Sequence, residues 1–258
     1  CIFDSDREGI TMKAIHGNKL AAVTEMKLKA LFSKNFIIMP VFAIGLTFVM
    51  KLVYGTVLEG EAGIFGKAYA LAYGALMNIC MTGVYCVSAA LAEEKEKHTL
   101  RVLMTSSVNG TEFFLGSLIP VILMVEAVNA LLVPLAGVTM DAAGWAIYLG
   151  ISLLAAIAGA VIGMIFGIFA KNQVTASTVT TPIIMVLMMV PMFSRLNEML
   201  GTITDFLFTG IMMHTVENIV DGSRNPVSVS SLVILVGEIL LAMGIFQVVY
   251  RKNGYDSE

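Results

Sequence analysis

Charge is scarce in this sequence. Only 14% of its 258 residues are Asp, Glu, Lys or Arg, against about a quarter in an ordinary soluble domain. That shortage excludes a soluble enzyme, and a hydrophobic share of 57% excludes a disordered chain. A formal charge of −3 offers a polyanion nothing to bind, so no nucleic-acid partner is expected. Three cysteines, Cys1, Cys80 and Cys86, are too few for a disulfide scaffold. Six residues apart on a helix, Cys80 and Cys86 would point away from each other. A phosphate-cradling Gly-x-x-x-x-Gly-Lys-Ser/Thr loop is also missing. The one Gly-Lys pair, Gly66-Lys67, has Glu61 at the first glycine position and Ala68 after the lysine. The chain is therefore not expected to be an ATPase itself, and no catalytic, cofactor-binding or metal-ligating residue is assigned.

Long apolar runs take the place of charge. A bilayer span needs about 20 mostly apolar residues in a helix. Such runs are Asn35 to Tyr54, holding Lys51 near one end, and Ala68 to Ala92, with no charge. Phe113 to Val138 carries only Glu126, and Gly144 to Ala170 is uncharged. Val174 to Phe193 and Val227 to Tyr250, the latter holding Glu238, complete six. The runs are continuous rather than alternating, which favours helices that satisfy their own backbone in lipid over a barrel. The expected class is an all-α polytopic membrane protein: residues 1–34 before the membrane domain, 35–250 within it, and 251–258 as a tail.

Lys and Arg set the orientation. With both termini cytoplasmic, the inner side holds Arg7, Lys13, Lys19, Lys27, Lys29, Lys34, Lys95, Lys97, Arg101, Lys171, Arg251 and Lys252. Only Lys51, Lys67, Arg195 and Arg224 remain outside or near the outer boundary. Twelve against four favours both termini in the cytoplasm, and the lipid bilayer is the first partner. No apolar core of a signal peptide lies between Cys1 and Phe32. Met12 reads as a start, and no function is placed on residues 1–11.

Between Asn18 and Phe32, Leu20, Val23, Leu28, Leu31 and Phe32 alternate with Lys19, Glu25, Lys27 and Lys29. That pattern predicts an amphipathic helix on the inner headgroup surface, with a solvated juxtamembrane segment as the alternative. Ser194 to Asn225 predicts one or two short helices on or dipping into the outer interface before the last span. Pro182 and Pro191 remove backbone donors, so the fifth span is expected to kink, and whether it crosses fully is left open.

The stretch Glu93-Glu94-Lys95-Glu96-Lys97-His98-Thr99-Leu100-Arg101-Val102-Leu103 leaves the second span as a sign-alternating turn. It leads into a short helix with Leu100 and Leu103 on one side. Alternating charge is usually a solvated helix face. The other reading is a docking helix, apolar residues for a groove with charges fixing register. Here the chain resembles the type-two ABC export permeases, which carry a Glu-Lys-Glu-x-Gly-Thr-Leu-x-x-Leu stretch after the second span. Glu94-Lys95-Glu96, Thr99-Leu100 and Leu103 match it. His98 stands where Gly is usual, and Ser106-Ser107 where Pro is common. The resemblance implies that Glu94, Glu96, Thr99, Leu100 and Leu103 form a cytoplasmic coupling helix seated in a separate nucleotide-binding ATPase subunit. ATP and Mg would bind in that partner. It further implies a second permease subunit, a copy or a relative, and a bacterial plasma membrane. The implied cargo is an amphipathic peptide of the bacteriocin or phenol-soluble-modulin kind, with a lipophilic drug next.

Polar residues inside spans are expensive and normally face protein or water. Glu126, Asn129 on the same helix face, and Glu238 are candidates for a translocation path or proton-sensitive gate. The alternative is paired or protonated structural groups. Gly159, Gly163 and Gly167, with Ala155 extending the row, form a small-residue stripe for close helix packing, within the subunit before a dimer interface. The 18 methionines, Met185, Met188, Met189 and Met192 among them, give pliable apolar surface that is mostly core or lipid-facing filler.

Two rival readings are weaker. Glu93-Glu94 with His98, and His214-x-x-x-Asn218, faintly match a prenyl-protein protease pattern, but the expected orientation puts the halves on opposite faces, where they cannot share a water. A secondary transporter independent of ATP usually shows matching repeats with broken spans, and no duplication is visible.

Overall fold

The computed structural model describes residues 17–32, 34–57, 61–97 and 110–253, and all regular structure within them is helical. Helix α1 (Gly17–Leu31) precedes α2 (Lys34–Val57). Helix α3 (Glu61–Asn78) runs through a π-helical segment (Ile79–Cys86) into α4 (Val87–Glu96) as one rod. Then come α5 (Gly110–Ala136), α6 (Ala142–Phe169) and α7 (Gln173–Met192). A short 3-10 turn (Ser194–Leu196), α8 (Glu198–Thr204), α9 (Phe208–Val220) and α10 (Val229–Asn253) close the order.

Among the described residues, six helices are long and apolar enough to cross a membrane: Phe36–Tyr54, Gly63–Glu96, Phe113–Ala136, Ala142–Phe169, Gln173–Met192 and Val229–Tyr250. Their ends follow from local chemistry. Asp141 and Asn172 accept from the backbone N–H of Gly144 at 2.7 Å and of Thr175 at 2.8 Å, capping α6 and α7. Gly137 ends α5 at φ +75° and Gly222 ends α9 at φ +69°. Each turns the chain left-handed so that the following amide reaches back to the last turn, Val138 to Val133 and Ser223 to Asn218.

Burial is uneven. Span two is 83% buried within the chain and α6 is 67%, against 22% for α2 and for α10. Span two is thus the inner post, with α2, α7 and α10 at the margin. The seam between span two and α6 is made by the small-residue row. A Cβ at Gly163 would sit 2.5 Å from the carbonyl oxygen of Val84, and one at Gly167 would sit 3.0 Å from Leu91 Cβ. Gly159 looks onto Ile79 and Val84 of the π-helical segment. All three glycines face the subunit's own second span.

Three expectations change. The Glu93–Glu96 stretch is no turn; it is the last turn of α4, because nothing in Ala92–Glu96 breaks a helix. The fifth span is one continuous helix, Gln173–Met192, long and apolar enough to cross a membrane, despite Pro182 and Pro191. Pro191 falls in its last turn, and the Thr178, Thr180 and Thr181 hydroxyls bond the carbonyls of Val174, Ala176 and Ser177, one turn back. The break lies after it: α8 and α9 meet at 98°. Gly210 permits that bend, since a Cβ there would fall 2.0 Å from the Thr204 carbonyl oxygen. The third change concerns α1, which packs along α5, with Val23 against Gly116. Its buried row is Val23, Lys27 and Leu31, while Leu28 and Phe32 are exposed.

Gly163→Ala should lower the stability of the purified chain by about 1–3 kcal/mol, the usual cost of overpacking, because a backbone carbonyl cannot rotate away. Gly150→Ala, on the same helix with nothing within 4 Å, should be neutral or slightly stabilising. Thermal unfolding in detergent checks the pair; equal shifts would contradict the seam.

Candidate functional site

The polar side chains inside the spans form a connected group. Asn78 Nδ2, on α3, donates to Asn129 Oδ1 of α5 at 2.8 Å and to the Val125 carbonyl at 3.0 Å. Thr82 donates to Asn78 Oδ1 at 2.9 Å. Asn129 Nδ2 in turn donates to Ser152 Oγ of α6 at 2.8 Å, and Ser152 donates to Glu126 Oε1 at 2.6 Å. Tyr148 completes the set with a 3.1 Å bond to the Asn129 carbonyl. Asn78, Thr82, Asn129 and Ser152 are all fully buried, whereas Glu126 is half-buried. The carboxylate is therefore the member of this relay that reaches toward a surface. The network binds spans two, three and four at mid-depth.

Of the sequence candidates, Glu126 and Asn129 are brought together here. Glu238 is not among their partners: it faces the backbone of Phe208, the first residue of α9. Leu207 gives that helix no side-chain cap, so a carboxyl group at its positive end substitutes for one. The second carboxyl oxygen, Oε2, is buried without a hydrogen-bond partner.

Glu94 and Glu96 sit on the final turn of α4; Thr99, Leu100 and Leu103 lie outside the described residues. The end of α4 is anchored on two sides. Lys27 of α1 pairs with Glu94 and lies over the Phe113 ring of α5, 4.5 Å from its centroid. Lys95 donates to the Ile168 carbonyl, one of the unpaired carbonyls at the C-terminus of α6. Lys97 pairs with Glu93 one turn back, which raises its pKa from the ordinary lysine value through that hydrogen bond. Burial pushes the Lys27 ammonium pKa down, with the Glu94 carboxylate opposing it.

The opposite end of the molecule is closed by α8 and α9. Arg195 pairs with Glu217 of α9 at 3.1 Å and lies over Phe65, 4.6 Å from the ring centroid. Tyr69 and Tyr73 of α3 reach Met192 at the end of α7, on its carbonyl and its sulfur. His214 lies 3.5 Å from both Asp205 and Glu217. Because α9 packs on α3, His214 and Glu93 belong to opposite ends of span two, and the protease-like pairing has no geometry to support it.

These features describe a helical membrane bundle with a charged helix end at one side of its most buried span and a bent helix pair at the other. A family model described as ABC-2 family transporter protein matches residues 57–250. The chain belongs to the ABC-2 family of transporter proteins. That match runs from the end of α2 through the last span, taking in the seam, the polar network and the hairpin. ABC-2 membership makes the chain a multi-pass permease of a membrane transporter and implies an ATP-binding subunit as partner. No curated protein matches it.

Sequence reasoning missed Asn78, Thr82, Tyr148, Ser152 and Lys27. The first four were legible as pairs: Asn78 and Thr82, and Tyr148 and Ser152, stand at i, i+4 in otherwise apolar spans, one helix face each. Lys27 falls in the Val23–Leu31 register, where an apolar residue is expected.

In a double-mutant cycle, Asn78→Ala and Asn129→Ala should show a coupling of about 0.6–1.7 kcal/mol, the range for hydrogen bonds between helices in lipid. Additive effects on unfolding of the purified chain would dissolve the relay into independent contacts.

Proposed function

We propose that this chain is the membrane subunit of an ATP-driven exporter, moving a hydrophobic or amphipathic substrate, most simply a peptide, outward. The observation that carries the reading is the anchored, charged end of α4. It emerges from the most buried span and is tied to α1 and α6 through Lys27 and Lys95. Force applied there reaches the bundle core through a rigid post rather than a loose loop. On this reading the Glu94 end faces the cytoplasm, both termini lie on that side, and α8 and α9 cover the outer face. The Lys and Arg distribution supports that direction.

The chain contributes no nucleotide site of its own. A separate ATPase subunit binds Mg and ATP and grips Glu94, Glu96, Thr99, Leu100 and Leu103, and a second permease subunit completes the pore in a plasma membrane. ATP hydrolysis in that partner supplies the energy; the residues here receive the movement and present Glu126 to the passing substrate. A half-buried carboxylate held by Ser152 suits a cationic amphipathic peptide of the toxin-export kind.

The test is reconstitution with the ATPase partner in vesicles. Leu100→Ala combined with Leu103→Ala should cut ATP-driven export at least tenfold while the partner alone still binds nucleotide. Glu126→Gln should change substrate-stimulated hydrolysis with assembly intact. Full export by the double variant, or export persisting without the partner, would contradict the reading.

A further inference from the structure

The hydrogen bonds of the mid-span relay run in one direction, and the Val125 carbonyl sets it. A carbonyl oxygen only accepts, so Asn78 has to turn Nδ2 toward Val125, at 3.0 Å. The second hydrogen of that Nδ2 meets Asn129, which answers with Oδ1 at 2.8 Å. Asn129 is left with Nδ2 toward Ser152, at 2.8 Å. Ser152 Oγ therefore accepts there and has its single hydrogen for Glu126 Oε1, at 2.6 Å. Thr82 feeds the head of the row through Asn78 Oδ1. Every member donates toward Glu126. Turning either amide round would set two donors or two acceptors face to face.

We propose that this row of donors holds Glu126 ionised and makes it a site for an ammonium or guanidinium group of the transported substrate, with Ser152 and Asn129 as the positioning residues that set the preference. What the site is for rests on the export reading; its chemistry does not. Oε1 has to accept, because Ser152 Oγ already receives the Asn129 hydrogen. The 2.6 Å separation falls in the range of a hydroxyl on an ionised carboxylate, shorter than the usual spacing of about 2.7–2.8 Å between neutral oxygens. Successive donors also polarise one another, so the charge is met by the row and not by one hydroxyl alone.

Burial places the two ends of the row differently. Asn78, Asn129 and Ser152 are fully buried, whereas Glu126 is half-buried, with Leu123 and Leu131 exposed on the same helix. A charged group at mid-span faces protein or water rather than lipid tails, so this part of α5 borders a wet or protein-lined space. Among the described residues Ser152 is the hydrogen-bond partner of Glu126 and takes Oε1, which leaves Oε2 for an occupant. An ionised carboxylate accepts and cannot donate. It therefore takes an N–H group, best a cationic one, and turns away a substrate carbonyl, carboxylate or phosphate at that position.

The experiment uses the purified full chain in lipid nanodiscs and infrared difference spectra, each taken against the same chain carrying Glu126→Gln, which isolates the Glu126 carboxyl group. At neutral pH the wild type should show carboxylate absorption and no protonated carboxyl band. Ser152→Ala should bring up the protonated band, whereas Ser152→Thr, which keeps the hydroxyl, should not. The probes are an amphipathic peptide of Leu and Lys and the same peptide with every lysine acetylated, which removes the charge. The charged peptide should shift the wild-type carboxylate band at a concentration at least tenfold below the acetylated one, the worth of a hydrogen bond to a charged group. A protonated Glu126 in the wild type, an unaltered band in Ser152→Ala, equal bands in the Ala and Thr variants, or equal responses to the two peptides would overturn the proposal. If Ser152→Ala does not fold, the wild-type spectrum and the two peptides decide. No ATPase is present, so failure here is distinct from failure of the export reading, which transport in vesicles measures.

Discussion

Between span two and α6 the two backbones meet with no side chain between them at Gly163, and the rest of the molecule is arranged around that contact. Helices in lipid gain no hydrophobic advantage from touching each other, so association depends on close packing and on hydrogen bonds. Here both occur together. The row Gly159, Gly163 and Gly167 brings α6 against the π-helical segment and α4, and the Asn78–Asn129–Ser152 relay holds the same helices to α5. The π-helical turn belongs to this arrangement. It lies in the span with the closest neighbours, and π turns are frequent at functional sites in helices.

Because span two is both the inner post and the helix that ends in the charged Glu93–Glu96 turn, its ends are mechanically joined. At one end Glu94 and Lys95 are pinned to α1 and α6. At the other, Phe65 and Tyr69 meet Arg195 and the end of α7 beside the bent α8–α9 pair. On the export reading, a pull on the hairpin loads the polar relay midway. Single interhelical hydrogen bonds of about 0.6 kcal/mol can exchange partners in that setting, whereas the glycine seam resists because its contacts are backbone. Glu238, facing the start of α9 from α10, ties the last span to the closing helices in the same way.

Much of this was readable from residues alone. Six apolar runs of span length, an amphipathic α1 and short helices after the fifth span follow from hydropathy and periodicity, which depend on the chain's own neighbours in sequence. What escaped depends on neighbours in space. The burial of Lys27 needs α5 and α4 to be in place, since Phe113 and Glu94 make a cation tolerable on that face. Asn78 and Ser152 look like stray polar residues until three spans are assembled around Asn129. Pro182 and Pro191 announced a break that falls instead after the fifth span, near Gly210, where the bend needs a residue without a Cβ. The π-helical segment has no signature in composition; Ile79–Cys86 would serve equally well as α-helix.

The most direct measurement is cross-linking from a single cysteine at Lys97→Cys, in sealed membranes of cells expressing the whole transporter. The hairpin should react only with reagents admitted to the cytoplasmic side and should capture a polypeptide that hydrolyses ATP. Labelling from the exterior alone, or a hairpin that captures no such polypeptide while transport proceeds, would contradict the idea that an ATPase drives this bundle through its second span.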